Sequence, residues 1–238
     1  GEESTPSIMN MVVESGPTGW GFMFVLGAFS VYATMVAVER YSATKKHVLI
    51  PPKFVEELQS KVVGRDATPT ELRDVCAKYD GPPTNILSAA LLRTGRPLPE
   101  VEKAMEDAAA REMAELRSRV RPLSVIGSIA PLVGLLGTVV GMIGAFYTAS
   151  AGGLGGEGET LAQGIYLALL TTAAGLGIAI PCLLLSAFYN SKIDRAFREM
   201  DMHLTEALSS FGAMEKTSRE FASEDKDAAD QRLMATAK

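Results

Sequence analysis

The stretch that decides the fold reads Ile129-Ala130-Pro131-Leu132-Val133-Gly134-Leu135-Leu136-Gly137-Thr138-Val139-Val140-Gly141-Met142-Ile143-Gly144. It is apolar all round and lies inside a longer run, Pro122 to Gly156, that contains no Asp, Glu, Lys or Arg. A helix of ~20 apolar residues crosses a hydrocarbon core, so this run is long enough to span one. Two more uncharged runs, Ser15 to Val38 and Thr160 to Ser191, meet the same requirement. Charge is confined to the rest: 21% of the 238 residues are charged although 47% are hydrophobic and the mean hydropathy is +0.14. That segregation excludes an ordinary soluble domain. The sequence predicts an all-α membrane protein with three transmembrane helices, over 18–39, 122–148 and 161–190.

Lys and Arg flanking a span are retained on the cytoplasmic side, which orients the chain. Of the 23 basic residues, 15 lie between Arg40 and Arg121 and the other 8 between Lys192 and Lys238. The N-terminal segment 1–17 holds only Glu2, Glu3 and Glu14, and the connection 149–160 only Glu157 and Glu159. The expected topology is therefore N-terminus outside and C-terminus inside, with Trp20 in the outer headgroup belt. A first residue of Gly1 fits the removal of a signal peptide from an exported N-terminus.

The segment 40–121 reads as a cytoplasmic helical domain. Phe54, Leu58 and Val62 form a four-residue stripe after Pro51-Pro52. Thr68-Pro69-Thr70-Glu71 is a capping box with proline at the first helical position, predicting a second helix that buries Leu72, Val75 and Tyr79 and ends at Gly81-Pro82-Pro83. A third helix is expected over 85–93. Beyond Pro97 and Pro99, the stripe Val101, Met105, Ala109, Met113, Leu116 and Val120 runs into the second span. After the third span, Ile193, Phe197, Met200, Leu204, Leu208, Phe211 and Met214 keep the same period. Both spans should thus extend as long cytoplasmic helices, the second within 191–238, with the pattern fading from Glu215 into a mobile end.

The residues that could carry chemistry are few. His47 and His203 are isolated, no Cys/His spacing suits a metal, no nucleophile lies near a base, and no motif calls for a cofactor, so the chain does not read as an enzyme. Cys76 and Cys182 read as reduced thiols. A net charge of −5 without a basic stripe excludes nucleic acid. The glycine-dense Ala151 to Glu159 lacks the Lys and Ser/Thr of a phosphate loop and reads as a hairpin.

What remains is a pair of small-residue faces. Gly134, Gly137 and Gly141 on the second span, and Gly164, Ala168, Thr172, Gly175 and Ala179 on the third, recur at three and four and suit close helix packing. A membrane threonine ordinarily bonds a carbonyl of its own helix, which is the plain reading of Thr148 and Thr171. Thr138 and Thr172 lie mid-span on the small faces, where a hydroxyl can line a polar pathway. Thr171 is a secondary pathway candidate, and so is Glu159, whose plain reading is a solvated loop acid.

The runs APLVGLLGTVVGMIGAF (Ala130 to Phe146) and GIYLALLTTAAGLGIAIP (Gly164 to Pro181), with Tyr189-Asn190, resemble the two signature spans of the ExbB/TolQ family, relatives of the flagellar stator MotA. The resemblance implies a homopentamer in the bacterial inner membrane. Its second and third spans would line a pore around two copies of a single-span ExbD/TolR-type partner that supplies a membrane aspartate. It also implies an ion-driven motor, with no metal or cofactor of its own, that powers transport through a TonB-like protein or maintains the envelope. By the same resemblance Thr138 and Thr172 match the family's pore threonines. One position departs: many members carry glutamate where this chain has Leu167, so no span here contains an acid. A non-conducting pentameric scaffold is the alternative which that departure raises. A MotA-like stator is disfavoured by three spans in place of four.

Overall fold

The computed structural model describes the backbone of residues 16–63, 68–151 and 157–236, and side chains within 19–45, 47–61, 68–150, 158 and 161–205. Among the described residues all regular structure is helical: α1 (Gly16–Ala43), α2 (Lys46–Leu49), α3 (Pro52–Val63), α4 (Pro69–Lys78), α5 (Pro82–Leu91), α6 (Leu98–Ala151) and α7 (Glu157–Thr236). Three of them, α1, α6 and α7, are long and apolar enough to cross a membrane. The expected lead 1–15 and the glycine-rich hairpin centre 152–156 lie outside the described residues.

The chain divides into two compact units. Of the described residues, one unit comprises those up to Ser42 together with those within Ser118–Asn190; the other comprises those within Ala43–Arg117 together with those from Ser191 on.

In the first unit, α1 buries Leu26, Ala33 and Val36 along one face. Leu26 clusters with Ala130 and Ala179, flanked by Phe29, Val133, Ala174 and Ile178, so all three apolar helices meet there. The Tyr189 hydroxyl donates to the Ala37 carbonyl at 2.8 Å and ties α7 to α1. Pro122 and Pro131 lie inside α6 and Pro181 inside α7. Each removes the N–H that would bond the carbonyl four residues earlier, a loss tolerated in membrane helices because neighbouring groups re-satisfy the backbone.

In the second unit, Thr68 caps α4 as its sequence requires. Its side chain accepts from the Glu71 N–H at 3.3 Å, the Glu71 carboxylate accepts from the Thr68 N–H at 3.1 Å, and Pro69 opens the helix. The backbone bond from Thr68, then the Lys61 contact, hold the Glu71 carboxyl below its ordinary pKa. Leu72 and Val75 are buried as expected, whereas Tyr79 is half-buried. Tyr79 sits at the helix end with its ring edge-on to Phe54, at 5.9 Å, and its hydroxyl donating to Glu57.

The third helix begins three residues earlier than the sequence pattern suggests, at Pro82 rather than Asn85. Gly81 adopts φ 142° and ψ 176°, a region almost closed to residues with a Cβ, and turns the chain so that Pro82 starts α5. The prolines open a helix here as well as ending the one before. The single turn α2 has no sequence signal. The helix of α7 continues to Thr236, past the fading of its stripe, because Glu215 to Thr236 contains neither Gly nor Pro and many Ala, Glu, Lys and Arg residues.

Side-chain contacts join these elements within the unit. Asn85 donates to Glu112 at 2.7 Å, linking α5 to α6, and Arg117 pairs with Asp194 at 2.6 Å, linking α6 to α7. Ile193, Phe197, Met200 and Leu204 are all buried on the stripe expected for α7.

Candidate functional site

The small faces of α6 and α7 pack directly on each other, antiparallel, and the glycines mark the points of closest approach. A Cβ on Gly175 would lie 2.6 Å from the Ala130 carbonyl oxygen, and one on Gly134 would lie 2.8 Å from that of Thr171. A Cβ on Gly137 would lie 2.8 Å from the Thr171 hydroxyl, and one on Gly141 would lie 3.3 Å from the Ala168 methyl. A Cβ on Gly164 would collide with the Ala145 side chain. As α6 advances from Ala130 to Ala145, α7 recedes from Gly175 to Gly164, which is one continuous register.

The same register extends to Gly127, where a Cβ would lie 2.6 Å from the Leu183 side chain. Sequence reasoning overlooked Gly127, although it continues the series Ala130, Gly134, Gly137 and Gly141 one step back.

The threonines divide differently from the sequence pattern. Thr171, not Thr172, occupies the centre of the α7 face and is 2% exposed. Its hydroxyl donates to the Ala168 carbonyl of its own helix at 2.7 Å and lies 3.4 Å from the Gly134 carbonyl. Thr172 flanks the face, half-buried, and its hydroxyl donates across the helix pair to the Gly134 carbonyl at 3.1 Å. Thr138 is half-buried and donates to the Leu135 carbonyl of its own helix at 2.6 Å, and Thr148 likewise donates to Gly144. Thr138 and Thr172 are thus directed to separate carbonyls, with Gly134 beside both: its carbonyl accepts from Thr172, and it stands one helical turn before Thr138.

Every one of these hydroxyl hydrogens is committed to a main-chain carbonyl. A hydroxyl so engaged still offers oxygen lone pairs, so toward anything else it acts as an acceptor. It suits a cation or a protonated carboxyl better than a carboxylate. Leu167 is half-buried and brings no charge. Glu159 lies in the first turn of α7, and its side chain is outside the described residues. Among the described residues, no three His, Cys, Asp or Glu side chains gather as a metal site.

Residues 79–202, a stretch that includes all of α6 and the part of α7 that packs against its glycine face, match the MotA/TolQ/ExbB proton channel family. The chain belongs to that family. Among relatives of this MotA/TolQ/ExbB member, a biopolymer transport ExbB homolog of Methanothermobacter thermautotrophicus is 28% identical over 191 residues, covering 80% of this chain and 67% of that protein. Biopolymer transport protein ExbB of Helicobacter pylori is 42% identical over 94 residues, 40% of this chain and 61% of the relative. The Tol-Pal system protein TolQ of Haemophilus influenzae is 40% identical over 82 residues, 34% of this chain and 36% of the relative. The chain therefore covers less than two thirds of the Helicobacter and Haemophilus proteins.

Proposed function

We propose that this chain is the ExbB-like subunit of a proton-driven motor in a bacterial inner membrane, assembled as a homopentamer around two copies of an ExbD/TolR-type single-span partner. The observation that carries the reading is the antiparallel α6–α7 contact, with Thr171 and Thr172 against the Gly134 carbonyl and no acid in any span. Burying a lone carboxylate at mid-membrane costs ~2.5–3.5 kcal/mol on the insertion scale. With that group supplied by the partner, this subunit contributes acceptor oxygens and a rigid wall. The partner's carboxyl arrives protonated at Thr138 and Thr172, releases its proton toward the cytoplasmic side, and moves as its charge state changes. The segregation of all Lys and Arg into 40–121 and 192–238 supports an outside N-terminus and an inside C-terminus.

The glycine positions Gly134, Gly137, Gly141, Gly164 and Gly175 hold the two helices close enough for Thr172 to reach across. Relatives named for biopolymer transport and for the Tol-Pal system support an output of energised transport or envelope maintenance, delivered through the partner and, in the transport case, a TonB-like protein. A second reading, a pentameric scaffold that conducts nothing, is favoured by Leu167 and by the engagement of each threonine hydroxyl with a carbonyl.

The test is proton flux into vesicles holding this chain with its partner. Conduction that falls in Thr172→Val and Thr138→Val, with the assembly intact by native mass spectrometry, supports the motor. No flux above empty vesicles from an intact assembly would establish the scaffold. Unchanged flux in both variants would remove the threonines from the pathway.

A further inference from the structure

On the α1 side of α6, an open groove of about 420 Å³ is lined by Phe29 and Tyr32 of α1 and by Arg121, Pro122, Val125 and Ile126 of α6. Its walls are apolar apart from one end. At that end α6 reads Arg117-Ser118-Arg119-Val120-Arg121, and the uncharged run of the span begins with the next residue, Pro122. No acid follows on α6 after Glu115. Arg121 is exposed, and Val125 is 43% exposed, so the groove opens outward from the chain.

From Arg121 to Ile126 the helix rises ~7.5 Å, which carries the groove from the charged boundary of the membrane into its hydrocarbon. An occupant must therefore be apolar along its length and anionic at one end. Basic pockets between membrane helices at the cytoplasmic boundary suit lipid phosphates, and the negative cytoplasmic leaflet enriches anionic ones.

We infer that this groove holds an anionic phospholipid, its phosphate against the Arg121 guanidinium and one acyl chain along Phe29, Val125 and Ile126. Arginine matches phosphate with two parallel N–H donors, which fixes the headgroup as well as attracting it. The site is separate from the α6–α7 contact and does not depend on ion conduction.

Native mass spectrometry of the full chain in mild detergent, titrated with phosphatidylglycerol or phosphatidylcholine, tests this. The unaltered chain should bind phosphatidylglycerol preferentially. Arg121→Gln should weaken that binding about five-fold while leaving phosphatidylcholine unchanged, as expected for removing one basic residue near an anionic surface. Arg121→Lys should keep the preference, separating charge from folding. Val125→Trp, which fills the slot, should lower binding of both lipids at unchanged helicity. An undiminished preference in Arg121→Gln overturns the inference, as does undiminished lipid binding in Val125→Trp. Displacement of the lipid by inorganic phosphate alone would overturn the role of the groove. Disulfide capture of another protein chain by Val125→Cys would show a protein occupant and overturn the lipid.

Discussion

Replacing Gly175 by alanine puts a methyl group where the helix pair has only backbone. Its Cβ would lie 2.6 Å from the Ala130 carbonyl oxygen and 3.3 Å from the Gly134 Cα. Neither atom belongs to a side chain that can rotate away, so relief requires α6 and α7 to separate. Restoring an ordinary carbon-to-oxygen contact of ~3.3 Å takes a displacement of ~0.7 Å. A gap of that size forfeits roughly a quarter to a half of the dispersion energy between the facing atoms. It also stretches the 3.1 Å bond from Thr172 to Gly134. Overpacking of this kind costs ~1–3 kcal/mol, partly offset by the ~1 kcal/mol that alanine gains over glycine in a helix.

The same spans supply the control. A Cβ on Gly144 or Gly177 meets nothing within 4 Å. Alanine there should be neutral or stabilising by up to ~1 kcal/mol. Denaturant titration of the detergent-solubilised chain, followed by circular dichroism, should therefore rank Gly175→Ala below the parent and Gly177→Ala level with it or above. If Gly175→Ala matched Gly177→Ala in stability, the claim that the α6–α7 backbone contact governs this position would be refuted.

Three further outcomes follow from contacts elsewhere. Thr68→Ala removes the hydroxyl that accepts from the Glu71 N–H, the side-chain half of the α4 capping box, and should cost ~1 kcal/mol, read as faster amide exchange in the first turn of α4. The Lys78 hydrogen bond holds the Glu57 carboxyl below its ordinary range, and Glu57 in turn raises Lys78. The carboxylate's contribution is present above its unfolded pKa and lost as pH falls through the depressed one, and the lysine's is lost only as pH rises through its raised value. The α3–α4 contact should thus hold across neutral pH and loosen in acid, and Glu57→Gln should flatten the acid limb of amide exchange in α3. Tyr189→Phe deletes the bond to the Ala37 carbonyl and should cost ~1 kcal/mol in the same denaturant titration, without changing helicity.

What could be read from the sequence depended on how local its cause was. The α4 cap is specified within Thr68 to Glu71, and the structure forms both of its bonds. The three apolar runs are equally local, because length and absence of charge suffice. The centre of the α7 face is a different problem. Thr171 and Thr172 differ by ~100° around the helix, so which one meets α6 is set by the rotation of the pair. That rotation is fixed by the interlock of Gly134, Gly137 and Gly175, atoms from segments some forty residues apart. A spacing rule applied to α7 alone chose Thr172; packing against α6 puts Thr171 at the centre and leaves Thr172 at the rim. Gly81 was legible as a break but not as the start of α5, since its φ of 142° is what lets the following prolines begin a helix.

The distribution of side chains on α6 separates two tasks that the sequence presents together. The glycine face is occupied within the chain by α7, so it cannot also be the surface that recruits other subunits. The opposite face carries Leu132, Leu136, Val139 and Ile143, each 48% or more exposed and spaced by four, three and four residues. At most a third of the residues in each apolar window is buried by the chain itself. Lipid can cover such a surface without driving association, because hydrocarbon is as apolar as leucine. A specific assembly would therefore have to draw on shape and on polar groups, and Thr138 and Thr172 lie half-buried at the rim of the α6–α7 contact. A partner helix that met these acceptor oxygens with a protonated carboxyl would gain a hydrogen bond there and lose it on ionisation, which is how binding at this rim would become dependent on the proton.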